Sequence, residues 1–311
     1  MQHFRLLEDV YLQDVWLTIG SFDGVHVGHQ EIVRSLIRGA RAAGAPAVVL
    51  TFDPHPAVVL GKRQNPFYLT TPEERAALLG KLGVDVVITH PFNTRVAELT
   101  AHDFIARLFA HLGFHHLCVG YNFALGRNRE GDVQALQRLG AQLGYTMHIV
   151  DPIKIGNRIV SSSQIREALR VGDVVQAANL LGRTFQVSGE VIKGDARGRA
   201  LGIPTANLAV WAERALPKSG VYVCQARLSG ELWGAVTNVG VRPIEHSPVS
   251  LVVEAHILDF EGDLYGQLMQ LEFLTRLRDE RRFPDVSSLV AQIEQDLERA
   301  RQVLQSEKLS H

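Results

Sequence analysis

Two histidines three residues apart end a run of small residues, Gly20-Ser21-Phe22-Asp23-Gly24-Val25-His26-Val27-Gly28-His29. Gly20, Gly24 and Gly28 let a backbone pass close to a ligand, with Phe22 among them. A helix starting there offers unpaired N–H groups to a phosphate. On that helix His26 and His29 share one face, where imidazoles can donate hydrogen bonds to a polyphosphate. The same residues also read as a plain glycine-rich turn with two surface histidines. Zinc competes less well, because the histidines lack i, i+4 spacing, no glutamate stands between them, and no third ligand stands out. Neither GxxxxGK[ST] nor GxGxxG occurs in the chain, so phosphate would be held without those devices.

Four further segments carry chemistry. Val160-Ser161-Ser162-Ser163-Gln164-Ile165-Arg166 reads as a helix N-cap and equally as an anion site. Arg166 stands where a capping box would have glutamate, and a cation there opposes the macrodipole by roughly a few tenths of a kcal/mol unless an anion binds. The loop from Gly120-Tyr121-Asn122-Phe123 to Gly131-Asp132 follows an expected strand, where ligands of open α/β sheets bind. Gly189 to Gly202 places four glycines, Lys193, Arg197 and Arg199 before Pro204-Thr205-Ala206-Asn207, with Gly194 and Gly202 in the loop. Such a loop can lie over phosphates, and a threonine hydroxyl such as that of Thr205 can ligate Mg²⁺; a glycine-rich β-turn is the plainer reading. Alternation over residues 252–257 puts Glu254 and His256 on one strand face, and by periodicity alone that face is simply solvated.

These residues need elements to hold them. Apolar runs at 15–19, 47–52, 84–89, 116–120 and 147–150 alternate with helical periods at 31–43, 73–82, 103–112 and 133–143, which predicts a parallel sheet with crossover helices. Pro72 and Glu73-Glu74 after Thr70-Thr71 signal a helix start, and a further helix is expected at 164–170. From about residue 184 the texture changes. Runs at 185–192, 220–228, 232–239, 251–260 and 267–275, rich in branched and aromatic residues, are split by Gly, Pro and Asp turns. Short strands without helices between them predict a small antiparallel barrel or sandwich. A last helix is expected from Asp285, with Leu289, Ile293, Leu297, Ala300 and Leu304 along one stripe.

Composition sets the outer limits. The chain has 311 residues, 46% of them hydrophobic, and a formal net charge of −1, which leaves no strong electrostatic case for nucleic acid or an anionic membrane as the main partner. The length favours two domains. The start lacks the basic-then-apolar layout of a signal peptide, and no run is long and apolar enough for a membrane span. Cys118 and Cys224, each alone in a strand-like context, read as buried thiols of a reducing compartment. A cytoplasmic protein is expected.

Together GxFDGxHxGH, VGxNF…G…G and the xSSxxIR segment resemble the bacterial bifunctional riboflavin kinase/FMN adenylyltransferase (FAD synthetase) family. Thr51-Phe52-Asp53-Pro54-His55-Pro56 is similar to its TFxPHP segment, and Pro204-Thr205-Ala206-Asn207 to the riboflavin kinase signature. Motifs of both modules run in family order over about residues 14–283. The resemblance implies a Rossmann-like α/β nucleotidyltransferase domain at 1–182, then a small antiparallel β-barrel kinase domain with a C-terminal helix at 183–311. It further implies ATP as co-substrate, riboflavin and FMN as acceptors, FAD as product, and Mg²⁺ held at Thr205 and Asn207.

By the same resemblance Glu254 is the kinase's general base. His26, His29, Ser162, Ser163 and Arg166 hold polyphosphate, Asn122 lies in the nucleotide segment, and Arg278 and Glu280 lie toward the flavin. His256 has no such support and is read as surface. The chain departs from the pattern at Ala124-Leu125, where Arg-Phe is common, which puts a basic nucleotide contact in doubt. It departs also at Ser163 for Thr, Ile203 for Phe, and Ile244-Glu245 for Thr-aromatic. Two alternatives stand beside this expectation: only one module is active while the other is a regulatory flavin or nucleotide binder, or the chain binds flavin without catalysis.

Overall fold

The computed structural model describes residues 1–62, 67–194, 198, 202–242 and 250–309. Asp195-Ala196-Arg197, Arg199-Ala200-Leu201 and Pro243-Ile244-Glu245, all in segments singled out above, lie outside the described residues. The chain divides into two compact units, Met1–Ser162 and Ser163–His311.

The first unit runs through β1 (Gln2–Phe4), β2 (Trp16–Ile19), α1 (Val27–Ala43), β3 (Ala47–Asp53), α2 (Pro56–Val59), α3 (Pro72–Lys81), β4 (Val86–Pro91), α4 (Thr94–Glu98), α5 (Ala101–Leu112) and β5 (His116–Gly120). It continues with β6 (Ala124–Leu125), β7 (Gly131–Asp132), α6 (Val133–Leu143), β8 (Thr146–Val150) and a small hairpin, β9 (Lys154–Ile155) with β10 (Arg158–Ile159). Six of these strands pair parallel in the spatial order β1-β4-β3-β2-β5-β8. Ala47 to Phe52 of β3 are buried without interruption, as a strand covered on both faces requires. Alternate residues feed two layers. Leu17, Leu50, Ile88 and Leu117 pack with Ile105 and Leu108 of α5, while Val49, Val87 and Cys118 pack with Leu36 of α1 and Leu79 of α3.

Strand order fixes where a ligand can enter. From β2 the chain crosses through α1 to β3 and β4 on one side, whereas β5 and β8 lie on the other. The direction of winding therefore reverses at the β2–β5 pair, and the crevice beyond their carboxyl ends is the place for a ligand. Helix α1 starts earlier than its apolar period suggests, because His26 in extended conformation caps it by accepting from the His29 N–H. Helix α3 carries the expected signals in full: Thr71 and Glu74 form a reciprocal capping box with Pro72 in the first turn.

Helix α7 (Ser162–Val171) begins on the last residue of the first unit, and the second unit continues with α8 (Val174–Leu181), β11 (Phe185–Ile192), β12 (Ala206–Ala209), β13 (Gly220–Leu228), β14 (Glu231–Arg242), β15 (Ser250–Ile257), β16 (Leu268–Arg278) and α9 (Val286–Leu309). Its strands close into a barrel in the order β11-β12-β15-β14-β13-β16, with every neighbouring pair antiparallel. Closure is what separates a barrel from a sandwich, and β12 completes it. Asp285 caps α9 by accepting from the Ser288 N–H at 2.7 Å. Ala300 and Leu304 of α9 then seal Val221, Val223, Val236 and Leu258.

Burial makes the first unit acid-sensitive. His90 is 4% exposed, its Nδ1 accepts from the Leu7 N–H at 3.4 Å, and burial, followed by the charge of His111, holds its pKa below the ordinary 6.5. The unfolded chain therefore binds a proton that the folded one resists, so this contribution is present above the unfolded value and is lost as pH falls through it. The melting temperature is expected to drop between about pH 7.5 and about pH 5.5. His90→Asn keeps an acceptor for Leu7 without titrating, and should narrow that drop. Thermal melts at the two pH values check this; an unchanged drop in the variant would exclude His90 as a source.

Candidate active sites

Between β2 and α1 the backbone leaves regular structure. Phe22, Gly24 and Val25 all have positive φ, at 47°, 82° and 41°. For a β-branched residue such as Val25 this is a strained conformation that the surroundings must impose. Asp23, 1% exposed, supplies the hold. Its carboxylate accepts from the backbone N–H groups of Leu69 and Thr70 and from the Thr70 hydroxyl, all at 3.0–3.1 Å. Thr70 Oγ1 in turn accepts from the Gly24 N–H at 3.1 Å.

Beneath the loop lies Arg75 of α3, 1% exposed. It donates to the carbonyls of Ser21 at 2.8 Å and Phe52 at 3.0 Å, and Thr51 also donates to Ser21 O. Burial lowers the Arg75 pKa, while the charges of Asp23 and Asp53 act against that shift. Its two carbonyl bonds stitch the ends of β2 and β3 together.

The loop delivers the two histidines as a stacked pair, with ring centroids 3.6 Å apart and planes 16° from parallel. His26 Nδ1 accepts from the His29 N–H at 3.2 Å, so the neutral ring carries its proton on Nε2 and can donate it. Phe22 meets the His29 ring edge-on. Gly28 lies where a Cβ would come 3.2 Å from the His26 ring, and the first turn of α1 holds no acidic side chain. Stacked donors at an acid-free helix start suit phosphate oxygens.

Of the serine segment, Ser162 is brought directly to this loop: its hydroxyl donates to Asp23 O at 2.9 Å. Ser163 and Arg166 follow on α7, Ser163 exposed and Arg166 half-buried. At the end of β5, Asn122 O accepts from Arg129 at 3.2 Å. Ala124 and Leu125, which replace a basic-aromatic pair, form β6 against β7. The loop therefore supplies a cation of its own, Arg129, to the Asn122 carbonyl.

In the barrel, register assembles what sequence order scatters. Glu254 of β15 is half-buried and sits opposite Asn207 of β12 on one side and Asn238 of β14 on the other. Asn238 Nδ2 lies 3.4 Å from Glu280 Oε1, which ties the segment after β16 to this face. Asn207 is 8% exposed and packs against Gly194 so closely that a Cβ there would collide with its amide. Thr205 Oγ1 would lie 3.3 Å from a Cβ at Gly198, and Gly202 takes a left-handed φ of 73°. A hydroxyl and an amide oxygen beside glycine backbone suit a hard cation that shares phosphate oxygens, so the residues fit Mg²⁺.

Arg278 is engaged elsewhere: its guanidinium pairs with the buried Asp296 of α9 at 2.7–3.1 Å and donates to Asp279 O. His256 is more than a surface residue, since its Nδ1 lies 2.8 Å from Pro204 O. The roles of Arg75, Thr70, Asn238 and His256 escape a reading of the sequence. Asp23 stands inside the glycine motif, but nothing in sequence order marks it as the loop's anchor.

Comparison with known proteins matches each unit separately. A family model described as FAD synthetase matches residues 9–164, and one described as riboflavin kinase matches residues 181–304. A bifunctional riboflavin kinase/FMN adenylyltransferase of Pseudomonas fluorescens is 38% identical over 91% of both chains. One from Bacillus subtilis (strain 168) is 35% identical over 91% of this chain and 90% of that one. A crystal structure titled a macrolide-efflux protein from Streptococcus pneumoniae superposes with a TM-score of 0.88 at 30% identity, covering 96% of this chain and 98% of that one.

Removing the loop's anchor should be costly. Asp23→Ala leaves buried N–H donors without their carboxylate, so the first unit should lose about 3 kcal/mol of stability. Hydrogen exchange of the β2 and β3 amides in wild type and variant measures it. Equal protection in the two would show that Asp23 does not hold the loop.

Proposed function

This chain belongs to the bifunctional riboflavin kinase/FMN adenylyltransferase family, and on that premise we propose how its own residues divide the work. The enzyme phosphorylates riboflavin with ATP to give FMN, and it adenylylates FMN with a second ATP to give FAD and pyrophosphate. One observation carries the division: the stacked histidines lie wholly within the FAD synthetase match, and Glu254 with its two asparagines wholly within the riboflavin kinase match. Both models match, which favours two activities over one active module with a regulatory companion. We assign residues 1–182 to the adenylyltransferase and 183–311 to the kinase; the matched spans 9–164 and 181–304 bracket that boundary, while the division into compact units falls earlier, after Ser162.

In the kinase, Glu254 accepts the proton of the ribityl hydroxyl as that oxygen attacks the γ-phosphorus, the bond from that phosphorus to the β-phosphate oxygen breaks, and ADP leaves. Gly194 and Gly202 belong to the loop over the phosphates, and Glu280, tied to Asn238, lies toward the flavin, whereas the guanidinium of Arg278 is held by Asp296 and bears on the flavin only through the segment it anchors. Thr205 and Asn207 would hold Mg²⁺, which when bound offsets charge on the transferring phosphoryl group. The chemistry is mostly positioning, and the half-buried Glu254 held between strands on both sides supplies it.

In the adenylyltransferase, the nucleophile is the FMN phosphate, whose second pKa of about 6 leaves it largely deprotonated near neutrality. No general base is needed. Gly20, Phe22, Gly24, Gly28 and Asn122 shape the ATP site. His26, His29, Ser162, Ser163 and Arg166 stabilise charge on the departing pyrophosphate. Among the described residues no helix is long and apolar enough to cross a membrane. A cytoplasmic location is supported by two free, buried thiols, whose pKa values burial pushes up to about 12.

Incubation with riboflavin, ATP and Mg²⁺, with FMN and FAD resolved chromatographically, tests the reading. Glu254→Gln should slow riboflavin phosphorylation at least about a hundredfold and leave FMN adenylylation near wild type. His29→Ala should do the converse, slowing FAD formation from FMN by about a hundred- to a thousandfold while ATP binding changes far less. Loss of both activities in either folded variant would contradict two sites.

A further inference from the structure

Strand β12 begins at Ala206, paired with Ala255, and the residue whose hydroxyl matters, Thr205, lies one step outside it. Pro204 has no N–H to donate, so the ladder cannot extend through it in the ordinary way. Something else must fix the peptide that joins Pro204 to Thr205. One step further along the same register stands His256, two residues beyond Glu254 on the same face of β15. Its Nδ1 lies 2.8 Å from Pro204 O. A carbonyl can only accept, so Nδ1 carries the proton and donates. On the other side of Pro204, the Ile203 N–H donates to Gly198 O at 2.9 Å. The short approach to Thr205 is thus held at both ends, once by backbone and once by the imidazole.

We propose that His256 is a positioning residue of the kinase site: by donating from Nδ1 to Pro204 O it anchors a carbonyl beyond the end of the β12 ladder and so fixes the peptide from which Thr205 presents its hydroxyl. This rests on the reading of Thr205 as a Mg²⁺ and phosphate-site oxygen. The imidazole is assigned no direct contact with substrate or metal. It acts through Thr205, so its loss should loosen the segment before it affects any chemical step, and it should leave the other active site alone.

Two variants of the full chain separate donor from ring. His256→Phe keeps a planar ring and deletes the donor, whereas His256→Asn places an amide N–H near the position of Nδ1. In metal-free protein, hydrogen exchange of the Thr205 and Ala206 amides should quicken about tenfold in His256→Phe, the scale of one hydrogen bond. The Mg²⁺ concentration for half-maximal riboflavin phosphorylation should rise by about the same factor. In His256→Asn both should stay near wild type, and FMN adenylylation should persist in both variants, which also reports that the chain is folded. Wild-type exchange in His256→Phe would overturn the proposal, as would His256→Asn behaving like His256→Phe. If Mg²⁺ dependence is unchanged in His256→Phe while exchange quickens, the bond exists and the role of Thr205 falls. Wild-type protein that phosphorylates riboflavin without Mg²⁺ would remove the reading of Thr205 independently of the exchange result.

Discussion

Everything at the first site depends on one buried carboxylate. The backbone from Phe22 to Val25 takes a path that its side chains disfavour, and a path of that kind persists only where the surroundings over-determine it. Asp23 does so with bonds to two backbone N–H groups and one hydroxyl, and buried Arg75 adds bonds to carbonyls at the ends of β2 and β3. His26 can cap α1, and stack on His29, because that loop arrives at the right angle. The barrel solves a related problem by other means. Before β12 glycine leaves room beside Asn207, and a side chain from β15 reaches over to Pro204.

Both sites therefore rest on positioning, and for both reactions that is sufficient. An FMN phosphate near neutral pH is already a nucleophile, so histidines are better used as donors toward leaving charge than as bases. A ribityl hydroxyl is not, which is why a carboxylate is proposed as the kinase's base; Glu254 stands where the register of three strands converges. The difference between the two constellations follows from the difference in the attacking group.

Contiguous chemistry was legible in the sequence. The histidine pair, the glycines around it, the serine segment and the Pro204–Asn207 run are each written in one short stretch, and the change from helical to alternating texture marks the second fold. What escaped was set by distance along the chain. Arg75 reads as a surface cation on an amphipathic helix, and only the packing of α3 beneath β2 and β3 reveals it as buried. Asn238 and His256 acquire meaning from strand register, which alternation alone cannot supply. Short elements escaped too: β1 has three residues, β12 has four, and neither is long enough to show a period. The start of α1 is hidden from the sequence because its cap is an imidazole, outside the usual Ser, Thr, Asp and Asn.

If the two sites are independent and FMN is free to leave one and enter the other, two differently crippled proteins should complete the sequence together. Glu254→Gln and His29→Ala, each purified and folded, are mixed with riboflavin, ATP and Mg²⁺, and FAD is followed over time. The account predicts FAD after a lag while FMN accumulates, with little FAD from either protein alone. A mixture that makes FMN and no FAD, although Glu254→Gln adenylylates added FMN, would contradict it and would mean that FMN passes only within one chain.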